Sequence, residues 1–394
     1  MQKSDSIGLE LAVHERLSAI GRADWDACAG QQNPFLSHDF LQALEESGSV
    51  RPETGWLPQH VTLRDATGRL LACAPLYLKG HSQGEYIFDH GWARAYERAG
   101  GQYYPKLLSA VPFTPVPGPR LLLHPEAPAG MRDALVRSLI RVAELRGSAT
   151  LAVNFTNPDD QAALVAAGFL ERQGHQYHFN NPGYTDFEDF LTALQSRKRK
   201  QIRKERRAVA EAGIRVQRLT GSALKPEHWD HFHRFYIDTY DRKWGSPYLT
   251  RGFFDLLQQR MADSVLLVMA FQGDLPIAGA LNLIGTDTVF GRNWGCIEDF
   301  AFLHFELCYY QAIEFAIERR LARVEAGTQG EHKLQRGYLP VVTTSAHWFA
   351  DQGFEDAVAR FLEAERAEEA ELRTALACHT PFRQTNGQEG PDFH

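Results

Sequence analysis

The segment GTQGEHKLQRGYLPVVTTSAHW, residues 327–348, lies between two apolar stretches and is dense in ionisable side chains. The preceding LARVEA, residues 321–326, has the composition of a buried strand. The β-branched and aromatic VVTTSAHWF, residues 341–349, predicts a second strand. Because a surface connection needs no such density of acids and bases, we expect proton transfer or anion binding at this place.

The polar block inside this segment predicts a short helix that begins at Glu331. Glu331 and His332 are candidate proton acceptors, because a helix dipole stabilises a carboxylate at its first turn and an imidazole titrates near neutral pH. His347 on the following strand is the third candidate. Lys333 and Arg336 are three residues apart, hence on one side of the helix, and are candidate substrate or phosphate ligands. Each residue also has a purely structural explanation when taken alone. Glu331 would cap the helix, Lys333 and Arg336 would pair with acids, and His347 would be a packing histidine.

A second basic segment precedes the middle of the chain. RKRKQIRKERR, residues 197–207, contains eight basic residues among eleven. The composition predicts a helix that ends near Gly213, with Arg199 and Arg203 on one face. Like charges crowded on one face need an anionic partner or full solvation. We therefore interpret Arg199 and Arg203 as phosphate ligands, and the alternative is a solvated helix between two domains.

The first half of the chain offers a weaker set of polar candidates. HSQGEYIFDHGW, residues 81–92, predicts a strand in its GEYIFDHGW part and contributes Glu85 and Asp89. YYPKLLSAVPFTPVPGPR, residues 103–120, predicts a rigid, proline-rich loop and contributes Lys106. We interpret these three residues as candidate substrate ligands at the rim of a cleft.

The length of 394 residues predicts two domains. A turn, a small-residue strand and an aromatic strand occur in residues 68–92 and again in 273–295, which indicates two similar halves. We place domains at 1–180 and at 181–375, the second beginning with the basic helix, and a disordered tail at 376–394. Strands and helices in each half predict an α/β or α+β fold, with a mixed sheet packed with helices in each domain.

Composition excludes several classes of protein. A formal charge of −7 argues against general coating of DNA. The five cysteines are scattered without CxxC spacing, so no metal site or disulfide framework is predicted. The sequence shows neither a signal peptide nor a run of ~20 apolar residues, and we expect a cytoplasmic protein. It contains no Walker loop, dinucleotide fingerprint, HExxH or nucleophile elbow, which excludes most kinases, dehydrogenases and hydrolases.

Taken together, five segments of the sequence resemble the Fem-like branch of the GNAT acyltransferase superfamily, the peptidoglycan biosynthesis or recognition proteins. The resemblance covers about residues 30–375. It implies tandem GNAT-like domains and transfer of an acyl or aminoacyl group from a thioester or ester to an amine, with a cell-wall precursor as one expected acceptor. The segments are NPFLSHDFL (33–41), HSQGEYIFDHGWA (81–93), YYPKLLSAVPFTPVPGPRLL (103–122), HFELCYYQAIEF (304–315) and GTQGEHKLQRGYLPVVTTSAHW (327–348).

One departure from the GNAT pattern leaves the donor open. The R/Q-x-x-G-x-G/A turn that cradles coenzyme A in GNAT enzymes is absent from WGCIEDFAFLHFE, residues 294–306, where the resemblance would place it. Acyl-CoA and aminoacyl-tRNA are therefore both retained as co-substrates, tRNA is retained as a partner, and no permanently bound cofactor is expected. The alternative function is a non-catalytic GNAT-like module that binds a phosphorylated ligand such as a peptidoglycan precursor.

Overall fold

The computed structural model describes residues 8–242, 245–327 and 330–383, and the elements below refer to these ranges. The strands are β1 (Glu10–His14), β2 (Trp56–Pro58), β3 (His60–Arg64), β4 (Leu70–Ala74), β5 (Tyr77–Lys79), β6 (Lys106–Ser109), β7 (Leu122–Leu123), β8 (Thr150–Thr156), β9 (Leu170–Asn180), β10 (Ile214–Leu219), β11 (Val265–Gln272), β12 (Leu275–Ile284), β13 (Thr288–Cys296), β14 (Arg323–Glu325) and β15 (Leu339–Phe349). The α-helices are α1 (Arg22–Ala29), α2 (His38–Glu46), α3 (His90–Arg98), α4 (Met131–Arg146), α5 (Pro158–Ala166), α6 (Phe187–Ala193), α7 (Ser196–Glu211), α8 (Pro226–Arg242), α9 (Arg251–Met261), α10 (Leu303–Phe305), α11 (Gln311–Glu318) and α12 (Gln352–Ala377). A π-helix (Glu306–Tyr310) joins α10 to α11, and short 3₁₀ helices occur at Leu17–Ala19, Pro34–Leu36, Pro52–Thr54, Gly221–Ala223, Ala262–Ser264 and Glu331–Arg336.

The chain divides into two compact units. The first unit comprises Met1–Gly174 and Thr343–Glu368, and the second comprises His175–Val342 and Glu369–His394. Residues 343–368 thus return to the first unit, whereas the sequence analysis assigned them to a contiguous second domain. The reason is that the end of β15 pairs with β8, and that the start of α12 contributes Val358 and Leu362 to an aromatic cluster of the first unit.

The first unit contains two groups of paired strands around one core. One group has the antiparallel order β1-β3-β4-β7. In the other, β8 lies between β15, which is antiparallel to it, and β6, which is parallel to it, and β5 and β2 follow. Alternate residues of β8, Leu151 and Val153, share the core with Leu135 and Leu139 of α4. The opposite face of β8 and β15 points away from this core, so polar side chains of the first unit can lie on it.

The second unit contains six paired strands in the order β10-β11-β12-β13-β14-β9, in which only the β13–β14 pair is parallel. Val289 and Val324 face the core of this unit together with the helical segment from α10 to α11. On β13, a side-chain carbon at Gly295 would lie 2.3 Å from the backbone oxygen of Phe235, so α8 packs directly on the strand. The second unit is thus a sheet with helices on both faces.

Several predicted elements are confirmed. The stretch 321–326 contains β14, the stretch 341–349 lies within β15, and the polar block begins with the 3₁₀ helix Glu331–Arg336. The basic stretch forms α7 and ends before Gly213, which has a φ of 71° that favours glycine.

Two predictions for the first half are wrong. Residues 84–92 do not form a strand, because Tyr86 has a φ of 62°, which breaks an extended chain, and α3 begins at His90. Lys106, expected in a loop, begins the buried strand β6.

The predicted disorder of residues 376–394 is wrong for residues 376–383. Helix α12 continues to Ala377, and Phe382 forms a β-bridge with Leu194. Residues 384–394 lie outside the described residues.

Candidate functional site

The predicted site residues separate into two clusters, one in each unit. The first unit holds Glu85, Asp89, Lys106 and His347, and the second holds Arg199, Arg203, Glu331, His332, Lys333 and Arg336. The two clusters differ in how many of their charged side chains form ion pairs within the protein. A cluster whose charges are all paired internally has none left to bind a substrate.

In the first unit, Lys106 is paired with two carboxylates. Its ammonium donates to Glu85 Oε2 at 2.7 Å and also to Asp89 Oδ2, and Tyr103 donates to the same oxygen of Asp89 at 2.7 Å. Burial acts to lower the pKa of Lys106, but the carboxylates outweigh it and the pKa is raised. Because two acids neutralise Lys106 inside the fold, the geometry favours an internal ion cluster over the predicted role in binding substrate or phosphate.

Lys79 completes this cluster and was missed by the sequence analysis. Its Nζ lies 3.6 Å from the centroid of the Trp56 ring and 4.0 Å from Glu85 Oε1. Burial lowers the pKa of Lys79 to about 7 and raises that of Glu85 to about 7. The only signal in the sequence is a lysine that ends an apolar strand.

His347 is buried and belongs to the first unit. Its Nε2 is 2.9 Å from Ser345 Oγ, and its ring packs edge-on against Trp92 at 5.0 Å. Burial, followed by the charge of Arg172, lowers the pKa of His347 to about 3. So weak a base is a poor proton acceptor at neutral pH, and the geometry favours its structural reading as a packing histidine.

In the second unit, the short helix Glu331–Arg336 packs against the basic helix α7. Arg336 donates from Nη2 to Glu205 Oε1 at 2.8 Å and from Nε to Glu205 Oε2 at 3.2 Å, and it lies over the Phe305 ring at 3.5 Å. Lys198 donates to Gln335 nearby. The two basic segments noted in the sequence, residues 197–207 and 331–336, are therefore in contact. Arg336 is bonded to Glu205, however, and does not have its guanidinium free for a phosphate.

The cations of α7 differ in their surroundings. Arg206 donates to Glu306 and Glu314, and Arg203, one of the predicted ligands, pairs with Glu188. Arg199, the other predicted ligand, is half-buried. Four exposed cations follow each other at spacings of three or four residues and so form one stripe on the helix: Arg197, Lys200, Lys204 and Arg207.

Lys333 is buried and held by backbone carbonyls. Its Nζ donates to the oxygens of Ala326 and Gly327 at 2.5 and 3.0 Å, at the end of β14. Burial lowers its pKa to about 8. Lys333 therefore places a fixed ammonium beside the connection that follows β14, and no carboxylate among the described side chains is bonded to it.

His332 is an exposed titratable residue of this cluster. Its Nε2 lies 2.9 Å from the hydroxyl of Tyr309, which stands on the π-helix, a distortion common at functional sites. Burial, then the charges of Arg336 and Lys333, lower the pKa of His332, so it is neutral at pH 7 and can accept a proton. A side-chain carbon at Gly330 would lie 2.3 Å from the ring, so a glycine is needed there. The side chain of Glu331 lies outside the described part of the structure.

A buried pair, Glu325 and His178, was missed by the sequence analysis. The two residues are direct cross-strand partners on β14 and β9, each about 5% exposed, with Glu325 Oε2 and His178 Nε2 3.9 Å apart. Burial raises the pKa of Glu325 to about 7, and burial, Arg323 and Lys333 lower that of His178 to about 3. A single carboxylate inside the apolar stretch 321–326 was the available signal.

Glu325 should make stability depend on pH. Because its folded pKa lies above its ordinary value, the folded protein binds this proton more tightly, and stability falls as pH rises from about 4.5 to about 7. The total loss is on the order of 3 kcal/mol. His178 and His347, whose pKa values are lowered, contribute the opposite slope in this range, so the difference between variant and parent isolates Glu325. We expect Glu325→Gln to gain stability relative to the parent as pH rises from 4.5 to 8 in urea unfolding, and to be more stable than the parent at pH 8. Substitution of the exposed Glu363 by Gln is the control, and a variant less stable at pH 8 would contradict the prediction.

Comparison with known proteins defines the class. The sequence profile of the FemAB-like family, described as peptidoglycan biosynthesis/recognition, matches residues 16–384. The predicted fold class, tandem GNAT-like domains with mixed sheets packed with helices, is confirmed. The chain belongs to the FemAB-like family.

Solved structures share the fold at low sequence identity. FemX superposes with a TM-score of 0.54 at 11% identity, covering 89% of this chain and 100% of FemX. The C-terminal domain of a putative lysylphosphatidylglycerol synthetase from Agrobacterium fabrum gives 0.52 at 10% identity, covering 86% and 94%. L-PGS from Bacillus licheniformis gives 0.50 at 9% identity, covering 90% and 99%. A search of curated protein sequences gives no match. Among the described residues, no helix combines the length and apolar character that crossing a bilayer requires.

Proposed function

We propose that this protein is an N-acyltransferase that moves an acyl or aminoacyl group from a thioester or ester donor to an amine, with a cell-wall precursor as the acceptor. Membership of the FemAB-like family supports the reaction class. The observation that carries the proposal is the neutral His332 hydrogen-bonded to Tyr309, next to the buried ammonium of Lys333. The donor is acyl-CoA or aminoacyl-tRNA, and neither is a permanently bound cofactor.

The proposed reaction needs one proton acceptor and no covalent enzyme intermediate. The amine nitrogen attacks the donor carbonyl and forms the new C–N bond while its proton passes to His332. The C–O or C–S bond then breaks, and the proton on His332 returns to the departing oxygen or sulfur. The positive charge of Lys333 favours the negative charge that develops on the carbonyl oxygen. Burial raises the pKa of Tyr309, so its hydroxyl stays protonated. In the proposed role His332 donates from Nε2–H to the Tyr309 oxygen, which orients the ring and leaves Nδ1 as the atom that accepts the proton.

The exposed stripe on α7 is proposed to bind the phosphates of the donor. Arg203 is paired with Glu188, so the anion site predicted from Arg199 and Arg203 moves to the outer side of the helix. Both donor classes carry several phosphates, and a row of cations binds such groups without reading sequence. The stripe is Arg197, Lys200, Lys204 and Arg207.

The stripe gives a salt-dependence prediction. Substituting Lys200 and Lys204 together by Gln should weaken binding of tRNA, used as a probe, and lower the slope of log affinity against log salt by about 1.5. Filter binding at several salt concentrations measures this slope. Substituting the exposed Arg137 and Arg141 of α4 by Gln is the charge-matched control and should leave the slope unchanged.

A donor and acceptor panel tests the reaction class. The protein is incubated with acyl-CoAs or charged tRNAs and with amines that include a peptidoglycan-precursor peptide, and amide products are detected by mass spectrometry. We expect an amide that accumulates with time and with protein concentration. Ligand-induced thermal stabilisation without any product would instead support the alternative, a non-catalytic module that binds a phosphorylated ligand.

A further inference from the structure

We propose that Glu325 and His178 form the subsite that binds the acceptor amine as a primary ammonium. The inference rests on the proposed transfer to an amine and adds the residues that recognise the acceptor. The two side chains meet at the end of β14, and the carbonyls that hold Lys333 belong to the next two residues of the chain.

The geometry of the pair leaves two hydrogen-bonding atoms facing each other without a bond between them. Glu325 Oε2 and His178 Nε2 are 3.9 Å apart, too far for a hydrogen bond between them. Within the described ranges, neither of these buried atoms has a hydrogen-bond partner. A single nitrogen can lie at about 2.8 Å from both, which is ordinary hydrogen-bond length. A buried polar pair without partners is costly unless a ligand or water completes it.

The charges of the pair select a cation. The other oxygen of Glu325, Oε1, forms an ion pair with Arg323 Nε at 3.9 Å, beyond hydrogen-bond length, and this Nε donates its hydrogen to Thr288 instead. His178 is neutral at working pH, because burial and nearby cations lower its pKa. An ammonium can donate one hydrogen to the carboxylate and a second to the imidazole nitrogen. A quaternary amine carries the charge but has no hydrogen to donate, so it should not bind.

Lys333 does not fill this place. Its Nζ has its own acceptors, the backbone oxygens of Ala326 and Gly327. Its charge nevertheless contributes to the lowered pKa of His178, so it lies close enough to act on the pair. A substrate ammonium at Glu325 would therefore lie near the fixed charge that is proposed to stabilise the reacting carbonyl oxygen. The ammonium releases one proton to solvent before attack, because only the neutral amine has the lone pair that forms the C–N bond, and the second proton then passes to His332.

Binding can be tested without any acyl donor. The side-chain nitrogens of ¹⁵N-histidine-labelled protein are observed during titration with methylammonium chloride at pH 8, where Glu325 is mostly ionised. The His178 signals are assigned by their loss in His178→Gln. We expect saturable shifts of the His178 nitrogens with methylammonium, and none with tetramethylammonium or potassium chloride. Glu325→Gln should abolish the shifts. Equal responses to all three salts, or none to methylammonium, would overturn the subsite and leave water as its occupant.

Steady-state kinetics then separates the subsite from the reaction. Glu325→Gln should raise KM for the acceptor amine about 100-fold and change kcat by only a few fold, because the lost contact is a charge-assisted hydrogen bond. Turnover with an unchanged KM in Glu325→Gln would overturn the subsite while the proposed transfer stands. Methylammonium binding without turnover of any donor would leave the subsite standing while the proposed function fails.

Discussion

Replacing Lys106 by methionine is expected to lower the free energy of unfolding by about 3–5 kcal/mol. The substitution removes the ammonium that bonds both Glu85 and Asp89, and these carboxylates are buried with it. Lys106, with hydrogen bonds from Ser82 and Tyr103, lowers the pKa of Asp89 to about 2 although burial acts to raise it, so the loss of Lys106 leaves Asp89 unpaired. Urea unfolding at pH 7 measures the change.

Lys79→Met is the matched control for this experiment. Lys79 is equally inaccessible, but its nearest carboxylate oxygen is 4.0 Å away and burial lowers its pKa to about 7. Lys79 donates to the backbone oxygen of Gln83 at 3.2 Å but to neither carboxylate of the cluster, so its removal leaves both acids paired with Lys106, and we expect a smaller loss than for Lys106→Met. A loss below 1 kcal/mol for Lys106→Met, or an equal loss for both variants, would show that the cluster is not held by Lys106.

Replacing His332 by alanine is expected to lower kcat about 10²- to 10⁴-fold, the usual contribution of a positioned proton acceptor, and to leave KM nearly unchanged. The residue is exposed, so its removal should not change the thermal midpoint by more than a few degrees. Steady-state assays with the active donor and amine measure both constants. A parent-like kcat would remove His332 from the reaction.

The parent enzyme should show the matching pH profile. Because burial, Arg336 and Lys333 lower the pKa of His332, the imidazole stays neutral to a lower pH than an ordinary histidine. We expect kcat/KM, which reports ionisation of the free enzyme, to fall only below pH 6.5, as the imidazole takes up a proton and stops accepting one. This acid limb should disappear in His332→Ala.

Local patterns in the sequence predicted the second unit's elements well. An apolar stretch, a short polar block and a β-branched stretch correspond to β14, the helix Glu331–Arg336 and β15. Chain-local periodicity and capping fix such elements. The pairing of β15 with β8 depends instead on contacts nearly 200 residues apart, so local pattern could not reveal that residues 343–368 return to the first unit.

The roles of the charged residues were harder to predict than their positions. A sequence shows that Arg336 is a cation, but its partner Glu205 lies 131 positions away along the chain. Because Arg336 is bonded to Glu205, it is no longer free to bind a phosphate. Lys106 is likewise committed to acids that a turn brings beside it. Glu325 shows the reverse case. A lone carboxylate in a buried strand looks like an exception to be ignored, yet its Oε2 has no hydrogen-bond partner among the described residues, although a buried polar atom normally has one.

The most direct test of the central claim, that the second unit's cluster carries the transfer, compares turnover of His332→Ala with that of His347→Gln. Both histidines were candidates from the sequence, and they lie in different units. The rate of amide formation is measured by mass spectrometry on fully folded protein of each variant. We predict that His332→Ala loses at least about 100-fold in kcat and that His347→Gln keeps turnover within a few fold of the parent. Lost turnover in His347→Gln with full turnover in His332→Ala would contradict the account.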